Sequence, residues 1–115
     1  MSTTTIQEIV AGEVATKLLE IEAIKINHKN PFTWSSGWKS PIYCDNRMAL
    51  SFPAIRTFIK EGLVKAVRDT YKDVECIAGV ATAGIPQGAL VADELSLPYI
   101  YVRPKPKDHG MGNLI

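Results

Sequence analysis

Cysteine is scarce in this chain: there are two, Cys44 and Cys76, with 31 residues between them. No CxxC spacing occurs, and a disulfide scaffold or a zinc ribbon would need more thiols than this. Both are expected to be reduced, as buried free cysteines commonly are. A charge imbalance is lacking too. Thirteen Lys and Arg stand against 12 Asp and Glu, a formal net charge of +1, so nothing global points to nucleic acid or to a membrane surface. Long apolar runs are missing as well. Residues 76–92 carry no charge, but Gly79, Gly84, Pro86, Gln87 and Gly88 interrupt them, and a span needs roughly 20 mostly apolar residues. The opening MSTTTIQEIV has no basic stretch followed by an apolar run, so it does not read as a signal peptide. There are no internal repeats, no low-complexity stretch and no long linker.

What is present suits a globular protein: 115 residues, 46% hydrophobic and 22% charged, one small domain or a piece of a larger one. Thr5-Ile6-Gln7-Glu8 fits a capping box. Ile6, Ile9, Val10, Val14 and Leu18 follow at helical spacing and predict a helix over residues 5–19. A short strand is expected at 23–27, with Ile24 and Ile26 on one face. Residues 31–47, PFTWSSGWKSPIYCDNR, have aromatics at both ends and a Gly turn between them, a hairpin pattern. Ser51 is expected to cap a helix with Pro53 in its first turn, running to about residue 70. The last third has a βαβ rhythm: a short buried strand at 75–80, a small-residue loop at 81–86, a helix at 87–95 and a strand at 99–102. Two strands joined by such a helix must be parallel neighbours. Parallel sheets rarely stop at two strands.

Three segments could carry chemistry. In the first, Ala81, Thr82, Ala83 and Gly84 follow a strand and lead into a helix. Small side chains let backbone amides approach a phosphate at a helix N-terminus, at the strand ends where open α/β sheets bind ligands. No GK[ST] and no GxGxxG is present, and a tight turn chosen for packing is the other reading. In the second, Arg103, Lys105, Lys107 and His109 alternate directly after a strand. Pro104 and Pro106 hold the chain extended, so the four would fall on one side. Arg grips phosphate bidentately, Lys acts as a point charge and His donates a hydrogen bond or a proton. Gly110, Gly112 and Asn113 would let the loop move as a lid. A solvated basic loop is the alternative. In the third, Phe32, Trp34, Lys39, Tyr43 and Cys44 could form a slot for a flat heterocycle or simply pair across a hairpin.

In this order the segments resemble orotate phosphoribosyltransferases. FTWSSGWKSPIYCDNR is similar to their N-terminal hood, GVATAGIPQGA to the first sheet loop, and YVRPKPKDHGMGN to the flexible catalytic loop. The resemblance runs from about Glu8 onward. It implies an α/β fold, the N-terminal part of a type I phosphoribosyltransferase: a parallel-sheet core with flanking helices plus the hood. Residues 1–50 would be the N-terminal helix and hood, and residues 51–115 the first part of the core, ending within the catalytic loop. By resemblance the activity is that of a pentosyltransferase, moving ribose 5-phosphate from phosphoribosyl pyrophosphate to orotate with Mg²⁺. Lys107 and His109 would be catalytic. Arg103, Lys107, His109, Ala81, Thr82, Ala83 and Gly84 would bind phosphoribosyl pyrophosphate, and Tyr43 and Cys44 would line the orotate pocket. No residue here is assigned as a metal ligand. The resemblance further implies a cytoplasmic homodimer with loop 103–115 acting in trans, and no nucleic acid or membrane partner.

Two positions depart from some members of the family, which have lysines where this chain has Ser35 and Pro104. The family's strongest motif is a strand ending in two acidic residues and a Thr/Gly-rich loop. It lies downstream of the catalytic loop and has no match here. The expectation is therefore a portion of a roughly 200-residue domain, inactive and marginally stable alone. A purine-type phosphoribosyltransferase and a non-catalytic regulator sensing phosphoribosyl pyrophosphate are the alternatives. The hood favours the orotate type, and the near-neutral charge weighs against a nucleic-acid-binding regulator.

Overall fold

The helix foreseen at the N-terminus forms because its first turn closes on itself. In the computed structural model, which describes residues 5–105, the Glu8 amide donates to Thr5 Oγ1 at 3.1 Å and the Thr5 amide to Glu8 Oε2 at 2.8 Å. This capping box satisfies two orphan donors of α1, Ile6–Glu20. Its far end stops at Glu22, which sits at φ 60°. Glycine usually takes this left-handed position, but here the Glu22 and Ala23 amides still reach the Leu19 and Leu18 carbonyls at 3.1 and 2.9 Å. Of the apolar stripe only Leu18 is buried; Ile6 and Ile9 are exposed.

The chain divides into two compact units, one up to Phe58 and one from Ile59. In the first unit, β1 (Ile24–Ile26) pairs antiparallel with β4 (Ile42–Cys44), matching Ile24 with Cys44, Lys25 with Tyr43 and Ile26 with Ile42. Inside that excursion lies a small hairpin of β2 (Phe32–Thr33) and β3 (Lys39–Ser40). Its turn needs Gly37, which takes φ +90°, a value that L side chains rarely adopt. The Asp45 amide donates to the Ala23 carbonyl at 2.7 Å and extends the β1–β4 ladder around the fully buried Ala23.

Ser51 does not cap the next helix. It ends a 3₁₀ helix, Asn46–Ser51, whose own N-cap is Asp45. Helix α2 is Pro53–Thr70, and its first backbone bond is donated by Arg56 to the Phe52 carbonyl at 2.8 Å. Phe52 is extended (φ −116°, ψ 96°) because the residue before a proline is excluded from the helical region. Pro53 fills the first helical position as expected.

In the second unit β5 (Ile77–Val80) and β6 (Tyr99–Val102) are parallel, with Ile77 beside Tyr99 and Val80 beside Val102. The crossover helix α3, Gly84–Leu95, packs on both strands. It begins three residues before the sequence suggests. Pro86 occupies its third position, where an amide has no helical partner to lose. A buried strand was expected at 75–80. The observed strand starts at Ile77, and among its four residues only Gly79 is buried, while Val80 is 68% exposed. Helix α3 packs on this two-stranded pair, and Ala78, Val80 and Ile100 remain exposed. Helix α3 ends at Ser96, again left-handed at φ 55°, with the Leu97 amide on the Ala92 carbonyl at 2.9 Å.

Docking of α3 rests on two glycines and one tyrosine. A Cβ on Gly79 would lie 2.7 Å from the Gly84 carbonyl oxygen and would overlap the Tyr99 hydroxyl. One on Gly88 would lie 2.8 Å from the Tyr99 ring and 3.2 Å from Gly79 Cα. By contrast, a Cβ on Gly12 in α1 would have nothing within 4 Å. Gly79→Ala should therefore cost about 1–3 kcal/mol through overpacking, whereas Gly12→Ala should gain about 0.5–1 kcal/mol of helix stability. Denaturant melts of the two variants check this; equal midpoints would contradict it.

Candidate functional site

Two local groups hold those singled-out residues that the structure describes, one in each unit. The group in the second unit sits at the carboxyl end of the parallel pair, where ligands of such sheets bind. The Ala81 amide donates to the Val102 carbonyl at 2.8 Å. That bond carries the β5–β6 register one residue past the strands and brings Ala81 beside Arg103. Between Val80 and Gly84 the chain turns through Ala81, Thr82 and Ala83, with a cis peptide between Ala81 and Thr82. Ala83 is the N-cap of α3 and offers no side-chain hydrogen bond to the helix. The Ile85 amide returns to the Thr82 carbonyl at 3.2 Å, and Pro86 has no N–H. The Ala83 and Gly84 amides are left as the donors of this helix end, carrying its positive partial charge. Thr82 and Ala83 are exposed, so an anion can reach the backbone.

Arg103 is the cation nearest in sequence to this edge. It is half-buried, its guanidinium carbon stands 5.7 Å from the Tyr101 ring centroid, and its buried Nε has no hydrogen-bond partner among the described residues. A buried donor without a partner is costly, and an anion at the strand ends would satisfy it. Lys105 is exposed. Lys107 and His109 lie outside the described residues. The alternating basic segment is therefore described only as far as its second cation.

In the first unit Tyr43 and Cys44 are consecutive on β4. Successive strand residues face opposite sides, so Tyr43 shares a face with Lys25 and Cys44 with Ile24. The Tyr43 ring meets Phe32 at 5.8 Å between centroids, tilted by 42°. The Trp34 indole donates to the Ile42 carbonyl at 3.0 Å, and the Cys44 thiol to Asn46 Oδ1 at 3.1 Å. The Phe32–Tyr43 contact thus joins two separate two-stranded sheets and is not a pair across one hairpin, since Phe32 lies opposite Ser40 and Tyr43 opposite Lys25; Tyr43 is 38% exposed. Beside them Arg47 donates through Nε and Nη2 to both Asp45 oxygens at 2.9 and 3.2 Å. Those hydrogen bonds hold the Asp45 carboxyl below its usual range and raise the Arg47 guanidinium. This pair does not stand out in the sequence; the D-x-R spacing after a strand is its only signal.

A hollow of about 700 Å³ is lined by Tyr71, Lys72, Glu75 and Cys76 among others. It opens at the amino end of β5, away from the strand ends that the loop and Arg103 share, and is not part of this group.

The chain has clear relatives among known proteins. The orotate phosphoribosyltransferase of Cytophaga hutchinsonii is 65% identical over 103 residues, 90% of this chain and 49% of that protein. That of Porphyromonas gingivalis is 61% identical over 102 residues, 89% of this chain and 49% of its own length. This chain is homologous to part of an orotate phosphoribosyltransferase. It spans about half the length of the curated relatives it matches. No protein-family model matches it. Among solved structures, the orotate phosphoribosyltransferase from Aeropyrum pernix superposes with a TM-score of 0.70 at 32% identity, covering 85% of this chain and 54% of that one. The α/β fold is thus that of the type I phosphoribosyltransferases, present in part.

The loop of that fold is anchored here by Tyr99, whose hydroxyl donates to the Ile85 carbonyl at 2.7 Å. Burial, with a smaller contribution from Tyr101, pushes its ionisation above the usual tyrosine value. The folded state therefore holds this proton more tightly than the unfolded chain. The stabilisation is complete below the unfolded pKa of about 10 and is lost as pH rises through the folded value. Unfolding midpoints measured from pH 8 to 11 should fall above about pH 10, and Tyr99→Phe should flatten that fall. An unchanged slope in the variant would contradict the assignment.

Proposed function

We propose that the chain supplies part of the active site for orotate phosphoribosyl transfer. In that reaction phosphoribosyl pyrophosphate and orotate give orotidine 5′-monophosphate and pyrophosphate, a step of de novo pyrimidine (UMP) biosynthesis. The observation that carries the proposal is the 65% identity to a protein of that name over 90% of the chain. The geometry supports it: a small-residue loop, open helix amides and a half-buried arginine share one strand edge.

The reaction asks for what that edge offers. As the anomeric carbon loses pyrophosphate, negative charge accumulates on the leaving oxygens. The Ala83 and Gly84 amides are preorganised donors for it, and the small side chains at 81–84 let the phosphates come close. Arg103 brings a fixed positive charge whose buried Nε lacks a partner among the described residues. Lys107 and His109 would join it when the catalytic loop closes, in the partner subunit of a homodimer, and closure would exclude water from the sugar. Tyr43 and Cys44 would line the orotate pocket. Magnesium fits as an ion carried on the phosphate oxygens, a mode that takes few protein carboxylates; among the described residues no three His, Cys, Asp or Glu side chains converge. When bound it would act as a Lewis acid on the leaving group. From the likeness to a bacterial biosynthetic enzyme we infer a cytoplasmic location; no helix among the described residues is long and apolar enough to cross a membrane.

Loss of orotate absorbance with phosphoribosyl pyrophosphate and Mg²⁺ tests the proposal, with adenine, hypoxanthine and uracil as competing bases. A protein extended past Ile115 to the length of the relatives should consume orotate, and the 115-residue chain should not. Preference for a purine would replace the assignment with the purine type. Binding of phosphoribosyl pyrophosphate without any turnover would favour a regulator. In the extended protein Lys107→Ala should depress kcat far more than substrate affinity; an unchanged kcat would remove Lys107 from the chemistry.

A further inference from the structure

Tyr99 lies on β6, four residues before Arg103, and its ring occupies the space that Gly79 on β5 and Gly88 on α3 leave open. Its hydroxyl reaches past both to the Ile85 carbonyl at 2.7 Å. Ile85 is the second residue of α3. Its carbonyl already belongs to the helix ladder, so the tyrosine uses the second lone pair and ties down the first turn without breaking it. The same turn presents the Ala83 and Gly84 amides, and its Ile85 amide is bound to the Thr82 carbonyl at 3.2 Å. Among the described residues no side chain caps this end of α3. The hydroxyl of Tyr99 is therefore the side-chain group that fixes where the first turn stands relative to the strand ends.

We propose that Tyr99 is a positioning residue for the pyrophosphate-binding loop, acting through Ile85 to hold the Ala83 and Gly84 amides in register with Arg103. The proposal rests on the reading of this loop as the anion site. A ligand oxygen gains most from donors that are already aimed, so freeing the turn should weaken anion binding more than it weakens the fold. Tyr99→Phe removes one hydrogen bond and keeps the ring in its slot. Gly88→Ala leaves the hydroxyl present but pushes the ring, since its Cβ would stand 2.8 Å from Tyr99 Cε2. Val91→Ala removes buried volume from α3 (Val91 is 4% exposed) and leaves the clasp intact.

The test is calorimetric binding of inorganic pyrophosphate with Mg²⁺ to the full-length protein and these three variants, with unfolding midpoints measured alongside. Tyr99→Phe and Gly88→Ala should each weaken pyrophosphate binding roughly two- to tenfold, the range expected for losing one hydrogen bond. Val91→Ala should bind as the wild type does while unfolding at lower denaturant. Affinity that tracks stability across all three variants would reduce Tyr99 to a packing residue and overturn the proposal. Unchanged affinity in Tyr99→Phe would do the same, even if orotate turnover had established the enzyme. Loss of affinity confined to the two clasp variants, in a protein that fails to use orotate, would uphold the positioning role while the reading of the substrate falls.

Discussion

The parallel register of β5 and β6 is the constraint on which the candidate site depends. Parallel pairing places both carboxyl ends at one edge, and the hydrogen bond from the Ala81 amide to the Val102 carbonyl extends that alignment into the segments that leave the sheet. Only then do the turn at 81–83 and Arg103, separated by about twenty positions in the chain, become neighbours. An antiparallel pairing would send them to opposite ends. The crossover helix is thus more than a connector. It enforces the parallel arrangement, and its first turn supplies amides at the edge it creates.

Local interactions dominate the elements that were legible in the sequence. The capping box at Thr5 and Glu8, the proline at the first position of α2 and the span of β6 each depend on a few adjacent residues, and each is found where the pattern put it. Long-range pairing was less legible. Nothing in the 31–47 stretch indicated that β4 leaves the hairpin to join β1, because register across a gap of some fifteen residues depends on packing and not on local propensity. Ser51 misled for a related reason. A serine ahead of a proline looks like a cap, yet Asp45 had already started a 3₁₀ turn that consumed it.

The site was legible in a different way. Small residues between a strand and a helix, and a basic run after the next strand, both belong to one edge once the strands are known to be parallel. The role of Tyr99 was hidden, since its importance lies in the volume left by two glycines that are 20 and 11 positions upstream. Likewise the ion pair of Asp45 and Arg47 is visible only when the 3₁₀ turn brings the side chains together.

The space shared by Gly79, Gly88 and Tyr99 has a bearing on how such a sequence can change over time. None of the three positions is free to drift by itself. A larger residue at either glycine evicts the ring, and a smaller residue at 99 leaves a void with a helix carbonyl short of its extra donor. Accepted changes at these three sites should occur together, as a compensated exchange of volume between strand and helix. The loop that they support, built of residues with almost no side chain, can then vary in composition while its backbone stays where it is.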